Sequence, residues 1–201
     1  MTMKRVLRIA LAALFVGFTA GPIAAADKPP DTAWSVEQLM LRFSQVKSSR
    51  ATFVERKYLR VLNAPLDSSG TLVYTAPGYL EKHTLKPRPE SLVLEKDTLT
   101  FEDKSRNRRR TLRLQEYPVV WAFVESIRAT LAGDLKSLNR FYRVGLEGNE
   151  SEWRLTLDPR EPGIERMVSE IRISGSGTSV RSMEITEAEG DRSVMTVNEV
   201  R

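Results

Sequence analysis

The chain has 201 residues, of which 41% are hydrophobic and 28% are charged, with a net charge of +5, one histidine and no cysteine. Without cysteine there is no disulfide, thiol nucleophile or thiolate metal site, and we expect no lipid-modified N-terminus. A single histidine excludes a metal site built from several histidines. The fold must therefore be held together by its hydrophobic core.

The N-terminus has the pattern of a cleavable secretory signal peptide. Lys4, Arg5 and Arg8 precede an apolar run at residues 9–20, and residues 24–26 are alanines. An uncleaved membrane anchor is the alternative, but the run is shorter than the roughly 20 residues that a membrane-spanning helix needs. We predict a signal peptide at residues 1–26, a single domain at residues 27–201 and a periplasmic location in a Gram-negative cell.

Removal of the signal peptide also changes the charge. It takes away three cations and no acidic residue, which lowers the net charge from +5 by three. A nearly neutral mature domain gives little reason to expect a nucleic-acid partner, so we predict none.

The first element of the mature chain is predicted to be a helix that begins at Ser35. Ser35 and Gln38 have the spacing of a capping box, and Trp34 and Leu39 lie at the positions of a hydrophobic staple. The apolar residues that follow recur at helical spacing.

From residue 51 the hydrophobic period changes to two, which is typical of β-strands. Six runs rich in Val, Thr, Tyr and Leu are separated by turn residues, among them residues 68–70 and 76–78. The six predicted strands are residues 51–59, 71–75, 79–85, 91–95, 98–102 and 109–114. Short connections predict that consecutive strands are antiparallel.

A helix is then predicted between Pro118, which fits a first turn, and Gly133, which can end it. Its apolar residues spread around most of the helix circumference, so it should be buried on more than one side. The residue pattern alone favours a plain core helix over a movable helix above an apolar cavity. A further short helical turn is expected at residues 134–139.

Alternation resumes after this helical region. The predicted strands are residues 141–146, 152–157, 167–174, 180–186 and 193–200. The sequence thus predicts a mainly β protein with some α-helix (an α+β fold), with about eleven strands and two or three helices.

We find no residue pattern that indicates an enzyme, a metal site or a cofactor. His83 lies within an alternating strand run and no G-x-S-x-G motif is present, which argues against a serine hydrolase. The carboxylates are isolated from one another, and no glycine-rich phosphate loop occurs. We predict a non-enzymatic protein that acts without a cofactor.

The densest charge run lies at residues 104–110 and contains four arginines. One interpretation is a solvated hairpin tip. The other is a surface that docks an acidic partner or anionic headgroups. The docking residues would be Arg106, Arg108, Arg109 and Arg110.

Several motifs, in their order along the chain, closely resemble the LolA family of periplasmic lipoprotein carriers. They are Leu39-x-x-Arg42-Phe43-x-x-Val46-x-Ser48-x-Arg50-Ala51-Thr52-Phe53, Gly70-Thr-Leu-Val-Tyr74, Ala76-Pro77-Gly78, Leu80, Lys86-Pro87 and Asp97-Thr98-Leu99-x-Phe101. The resemblance covers almost the whole mature chain.

The resemblance implies an unclosed antiparallel barrel of about eleven strands, with helices as a lid over a hydrophobic cavity that receives acyl chains. It implies a monomer that takes an acylated protein or lipid from an inner-membrane transporter to an outer-membrane acceptor, without a cofactor. The lipid-binding residues implied for the cavity and lid are Phe43, Phe53, Tyr74, Leu80, Leu94, Phe101, Trp121, Phe123, Val124 and Ile127.

Two positions depart from the family pattern. The family has an arginine before the turn proline, which ties the lid to the barrel, where this chain has Ala76. It has an aromatic residue two positions after Leu80, where this chain has Lys82. We therefore also consider another acylated or lipid molecule as the cargo. The alternative function is an RseB-like sensor that binds lipidated or misfolded proteins.

Overall fold

A computed structural model describes residues 34–200, so the predicted signal peptide lies outside the described residues. The α-helices are α1 (Val36–Phe43), α2 (Pro118–Ala132), α3 (Leu135–Phe141) and the single turn α4 (Pro162–Glu165). The strands are β1 (Ser48–Tyr58), β2 (Leu66–Thr75), β3 (Tyr79–Lys86), β4 (Glu90–Glu95), β5 (Thr98–Asp103), β6 (Arg108–Arg113), β7 (Tyr142–Asn149), β8 (Glu152–Pro159), β9 (Val168–Ser176), β10 (Ser179–Glu187) and β11 (Arg192–Glu199). Short 3₁₀ turns cover Lys104–Arg106 and Leu114–Glu116.

Over residues 34–200, the eleven strands form one sheet in the order β6-β5-β4-β3-β2-β1-β11-β10-β9-β8-β7. The neighbouring pairs are antiparallel, as their registers show. The sheet is open, because β6 and β7 are its two edges. These results confirm the predicted fold class.

The chain passes from one edge of the sheet to the other through α2 and α3, because both helices lie between β6 and β7 in the sequence. The prediction of a helix from Pro118 to Gly133 is confirmed. Gly133 has a φ of +69°, and a Cβ at this position would overlap the carbonyl oxygen of Met40 in α1. Glycine therefore both ends α2 and allows α1 to approach it closely.

The predicted start of the first helix is also confirmed. The Ser35 hydroxyl accepts a hydrogen bond from the backbone N–H of Gln38 at 3.3 Å. Leu39, Met40 and Phe43 form the buried face of α1.

Strand β2 begins five residues earlier than the alternation predicts. We predicted a turn at residues 68–70, but Ser68 and Gly70 pair with Glu55 and Phe53 of β1. A Cβ on Gly70 would overlap the carbonyl oxygen of His83 on the other side. This glycine therefore marks a close approach of two strands and a bulge, which sequence reasoning mistook for a turn.

Two helical features also differ from the prediction. Helix α3 extends to Phe141, where the sequence predicts the start of a strand. The Phe141 ring packs edge-on against Trp121 at 5.7 Å between centroids. The single turn α4 was not predicted, since four residues are too few to show a helical period.

The hydrophobic core lies on one half of the sheet. Side chains of β7, β8 and β9 pack there against α1, α2 and α3. Its largest fully buried members are Trp153, Tyr142 and Phe43, and Trp153 meets Phe43 edge-on at 5.8 Å. Within the described part of the chain, no helix is long and apolar enough to cross a membrane.

Candidate functional site

A partly open cavity of about 230 Å³ lies beneath α2, mainly against the other half of the sheet. Its walls come from β1 to β5, from β9 to β11, from α2, and from the end of α1 with the segment that follows it. The lining residues are Phe43, Val46, Ser49, Ala51, Leu72, Val73, Tyr74, Leu80, Glu81, Lys82, Leu92, Leu94, Leu99, Phe123, Val124, Ile127, Thr130, Leu131, Ile173, Thr178, Val180, Met183, Met195, Val197 and Glu199. Because strands from both halves of the sequence contribute, the sheet must curve around this space.

Seven of the ten residues that the resemblance implied for lipid binding line this cavity. They are Phe43, Tyr74, Leu80, Leu94, Phe123, Val124 and Ile127. The structure therefore brings together residues from α1, β2, β3, β4 and α2 that are far apart in the sequence.

The other three lie outside the lining. Phe53 is 1% exposed and its ring lies 4.9 Å from the ammonium nitrogen of Lys82. Trp121 packs on Phe141 within the core half. Phe101 lies directly across from Leu92 and thus on the cavity side of the sheet, one strand nearer its edge.

Sequence reasoning missed much of the aliphatic wall. Leu72, Leu92 and Leu99 lie on the cavity side of β2, β4 and β5, and Met183 and Met195 close it from β10 and β11. The period of two could have found the three leucines, because each lies two residues from a residue already implied for the site. Leu72, Leu92 and Leu99 precede Tyr74, Leu94 and Phe101 by two positions. The place of the two methionines in the cavity wall depends on the pairing of β1 with β11, which local sequence patterns do not reveal.

Tyr74 is a polar exception in this apolar wall. It is 4% exposed, and its hydroxyl has no hydrogen-bond partner among the described residues. Burial raises the pKa of its hydroxyl, so the group stays neutral and can donate a hydrogen bond. An unpaired buried hydroxyl costs about 1–3 kcal/mol, which a ligand with an acceptor oxygen would recover.

A second polar group lies at the edge of the cavity. Lys82 forms an ion pair with Glu55 at 2.5 Å, and Glu55 also accepts hydrogen bonds from the hydroxyls of Ser193 at 2.6 Å and Ser68 at 3.3 Å. Burial acts to raise the pKa of Glu55, but the ammonium and the two hydroxyls outweigh it and lower that pKa below 4.5. The position where the family has an aromatic residue therefore holds a neutralised ion pair.

Helix α2 presents different faces to the core and to the cavity. Ala122, Ser126 and Ala129 are buried in the core half. Phe123, Val124 and Ile127 are only partly buried and line the cavity. The helix is thus both a core element and the roof of the cavity.

An arginine from α2 lies over the β2–β3 turn. A Cβ on Gly78 would lie 2.7 Å from the Arg128 Cδ, and the Arg128 guanidinium pairs with the buried carboxylate of Glu125 at 2.6 Å. The family pattern has an arginine at the Ala76 position of this turn. In this chain the arginine near the turn comes from the roof helix instead.

The four arginines predicted for docking do not form one patch. Arg106 lies 3.7 Å from the buried carboxylate of Asp103. Arg108, Arg109 and Arg110 are consecutive in β6. Arg108 and Arg110 therefore lie on one face of the sheet and Arg109 lies on the other.

Comparison with known proteins decides the family. Residues 26–198 match the family described as "Outer membrane lipoprotein carrier protein LolA-like". The chain belongs to this family. The LolA-like resemblance predicted from the sequence is thereby confirmed.

One curated relative in this LolA-like group is an outer-membrane lipoprotein carrier protein of Cupriavidus pinatubonensis. It is 29% identical to the chain over 96% of the chain and 86% of the relative.

Two solved structures are more distant. A LolA superfamily protein from Nitrosomonas europaea is 10% identical with a TM-score of 0.45, over 84% of this chain and 94% of that one. A putative outer membrane lipoprotein-sorting protein domain from Vibrio parahaemolyticus is 10% identical with a TM-score of 0.47, over 83% and 90%. The fold assignment therefore depends on the strand order of the chain itself.

Proposed function

We propose that this protein is a periplasmic carrier that binds the acyl chains of a lipoprotein or another lipidated molecule in the cavity beneath α2. The single observation that carries the proposal is an apolar cavity, roofed by a helix, in a member of the LolA-like family. The carrier would take its cargo from an inner-membrane transporter to an outer-membrane acceptor.

The size of the cavity supports a roof that moves. Its volume of about 230 Å³ lies below the roughly 300–1,000 Å³ of typical small-molecule pockets. We expect a whole acyl chain to need more space than the cavity offers in this structure. An outward shift of α2, whose Val124 and Ile127 form the roof, would provide that space.

The strength of acyl binding explains why release requires an acceptor. Burial of each methylene contributes about 0.8 kcal/mol, so a chain of about 14 methylenes contributes on the order of 10 kcal/mol. Cargo bound this strongly leaves only when the cavity opens towards an acceptor that binds it at least as well. The proposed carrier therefore acts by a difference in affinity between partners.

Mass spectrometry of the purified protein tests the binding step. The full chain is expressed in a Gram-negative host, the periplasmic protein is extracted with organic solvent, and the bound lipids or lipopeptides are identified. We expect acylated molecules in stoichiometric amounts. A protein that yields none, and that also fails to bind a fluorescent fatty acid, would contradict the proposal.

A transfer assay separates a carrier from an RseB-like sensor. Loaded protein is mixed with outer-membrane vesicles, and the acylated cargo is followed into the vesicles. A carrier releases its cargo to the vesicles, whereas a sensor retains it.

Export is proposed on the sequence pattern of residues 1–26. N-terminal sequencing of the periplasmic protein is expected to begin at Asp27. Recovery of the uncut chain in the membrane fraction would contradict cleavage.

A further inference from the structure

The arginines of β6 differ in the face of the sheet that they occupy. Directly opposed residues of an antiparallel pair share one face. Leu112 lies opposite Leu99, which lines the cavity, and Arg110 lies opposite Phe101. Arg110 is therefore on the cavity side, whereas Arg113 is on the outer side.

Arg110 ends a row of residues that runs across the cavity side. The row passes from Lys82 on β3 to Leu92, then to Phe101 and finally to Arg110 on the edge strand. With strands about 4.8 Å apart, it spans roughly 14 Å. Lys82 and Leu92 line the cavity, so the row leads from the cavity to an exposed arginine over apolar side chains.

Arg110 differs from its two neighbours in β6 because no acidic residue lies opposite it in β5. Arg109 lies opposite Glu102, and Arg108 lies opposite Asp103, whereas the residue opposite Arg110 is the ring of Phe101. Among the described residues, none of Arg108, Arg109 and Arg110 makes a salt bridge, and Asp103 pairs with Arg106 instead. Lys82, at the other end of the row, is neutralised by Glu55. The guanidinium of Arg110 is available to an anion at the rim of the cavity.

We propose that Arg110 binds the anionic group, a carboxylate or a phosphate, of an amphiphile whose hydrocarbon chain enters the cavity. This inference rests on the proposed function and narrows its cargo to acyl molecules that carry a negative charge near the chain. A guanidinium suits this task, because its planar fork can donate two parallel hydrogen bonds to a carboxylate or phosphate. The exposed position allows the headgroup to keep part of its hydration while the chain is buried.

The alternative is a basic surface that attracts an acidic protein through overall charge. Such a surface would use arginines on both faces of β6 alike. The two ideas therefore predict different results for substitutions on opposite faces of this strand.

The test compares palmitate and hexadecyl phosphate with the uncharged methyl palmitate, each displacing a neutral fluorescent lipid from the purified full-length mature protein. The variants are Arg110→Gln and, as a matched control, Arg113→Gln. Arg113 is exposed on the same strand, lies on the outer face and pairs with Thr98. Both changes remove one positive charge.

We expect the unsubstituted protein to bind both anions more tightly than the ester. Arg110→Gln should lower the affinity for palmitate and hexadecyl phosphate about 5- to 20-fold, in line with one lost charge-assisted contact. The affinity for methyl palmitate should stay unchanged. Arg113→Gln should leave all three affinities within about twofold. Circular dichroism and thermal unfolding confirm that both variants are folded.

Two results would overturn the inference. One is that the ester binds well and that Arg110→Gln still binds the two anions more tightly than the ester. This result would leave the carrier proposal intact. The other is an equal loss in the two variants, which would indicate attraction by overall charge. If neither the anions nor the ester bind, the carrier proposal itself fails.

Discussion

At the scale of single residues, the Tyr74 hydroxyl is one of two buried polar side-chain groups without a hydrogen-bond partner among the described residues, the other being Nε1 of Trp34. It lines the cavity, is 4% exposed and has no partner among the described residues. Tyr142 provides a contrast, because it is fully buried but its hydroxyl donates to the carbonyl of Ala122 at 3.3 Å. Two tyrosines of similar burial thus differ in their hydrogen bonding.

This contrast predicts opposite effects of the same substitution. Tyr74→Phe removes an unsatisfied group and should raise the free energy of unfolding of the cargo-free protein by about 1 kcal/mol. Tyr142→Phe removes a hydrogen bond and should lower it by about 1 kcal/mol. Urea unfolding at pH 7 measures both.

If the Tyr74 hydroxyl donates a hydrogen bond to the cargo, Tyr74→Phe should also lower the affinity for an acyl ester by a few fold while it stabilises the free protein. Loss of stability in Tyr74→Phe would mean that its hydroxyl is already satisfied, for example by a buried water molecule.

The ion pair of Lys82 and Glu55 is the second feature at this scale. Because the pKa of Glu55 is lowered below 4.5, its ionised form stabilises the folded state above about pH 4.5. This contribution is lost as the pH falls through the lower folded-state pKa. The ion pair therefore stabilises the folded protein at neutral pH.

Lys82→Met leaves the Glu55 carboxylate without its counter-ion. We expect the free energy of unfolding at pH 7 to fall by about 1–2 kcal/mol, since the carboxylate is largely buried. The deficit should shrink as the pH falls and Glu55 accepts a proton. Adding Glu55→Gln to Lys82→Met should recover part of the loss at pH 7; a deficit that is the same at pH 4 and pH 7 would contradict this account.

At the scale of elements, α2 combines two roles that its sequence does not separate. Its apolar residues surround most of the helix, but Ala122, Ser126 and Ala129 face the core and Val124 and Ile127 face the cavity. The small residues let α2 pack closely on its neighbours, while the large ones project over the open space. This division is what a roof helix requires.

The division predicts different consequences for charges on the two faces. Val124→Asp, at the partly buried cavity face, should lower acyl-chain affinity at least tenfold and the free energy of unfolding by less than about 1.5 kcal/mol. Ala129→Asp, at 2% exposure in the core, should lower the free energy of unfolding by more than about 3 kcal/mol. Fluorescent fatty-acid titration and urea unfolding give the two quantities. If Val124→Asp chiefly unfolds the protein, α2 is plain core.

At the scale of the whole molecule, the sheet is filled on one half and hollow on the other. The core cluster packs β7 to β9 against the helices, whereas β1 to β5 border the cavity. Strand β6 is an edge strand that pairs only with β5, and its arginines are exposed. Less apolar surface is therefore packed around β4 to β6 than around β8 and β9.

Hydrogen exchange should reveal this asymmetry. Amides of β4 to β6 are expected to exchange faster than those of β8 and β9 in the cargo-free protein, because regions with fewer packed contacts open more easily. Acyl ligand should slow exchange in β3, β4 and α2 and leave β8 nearly unchanged. Uniform protection across the sheet without ligand would contradict the expected difference.

The sequence by itself determined most of the secondary-structure elements, and the order of its motifs indicated the family. Local signals are sufficient for most of the elements: the capping box at Ser35, the period of two, and the paired stop signals at Pro118 and Gly133. Local signals fail where a contact with a distant strand decides the residue type. Gly70 is the example: the sequence predicts a turn there, but Gly70 lies within the sheet and closely approaches His83.

Only the tertiary structure decided which apolar residues surround empty space. Hydrophobic periodicity shows that a side chain faces inward, but not whether another side chain fills the space that it faces. Trp121 and Val124 have the same local pattern, yet one packs on Phe141 and the other borders the cavity. The pairing of β1 with β11 and the path of α2 between the sheet edges settle that difference, because they bring together walls that are more than 100 residues apart.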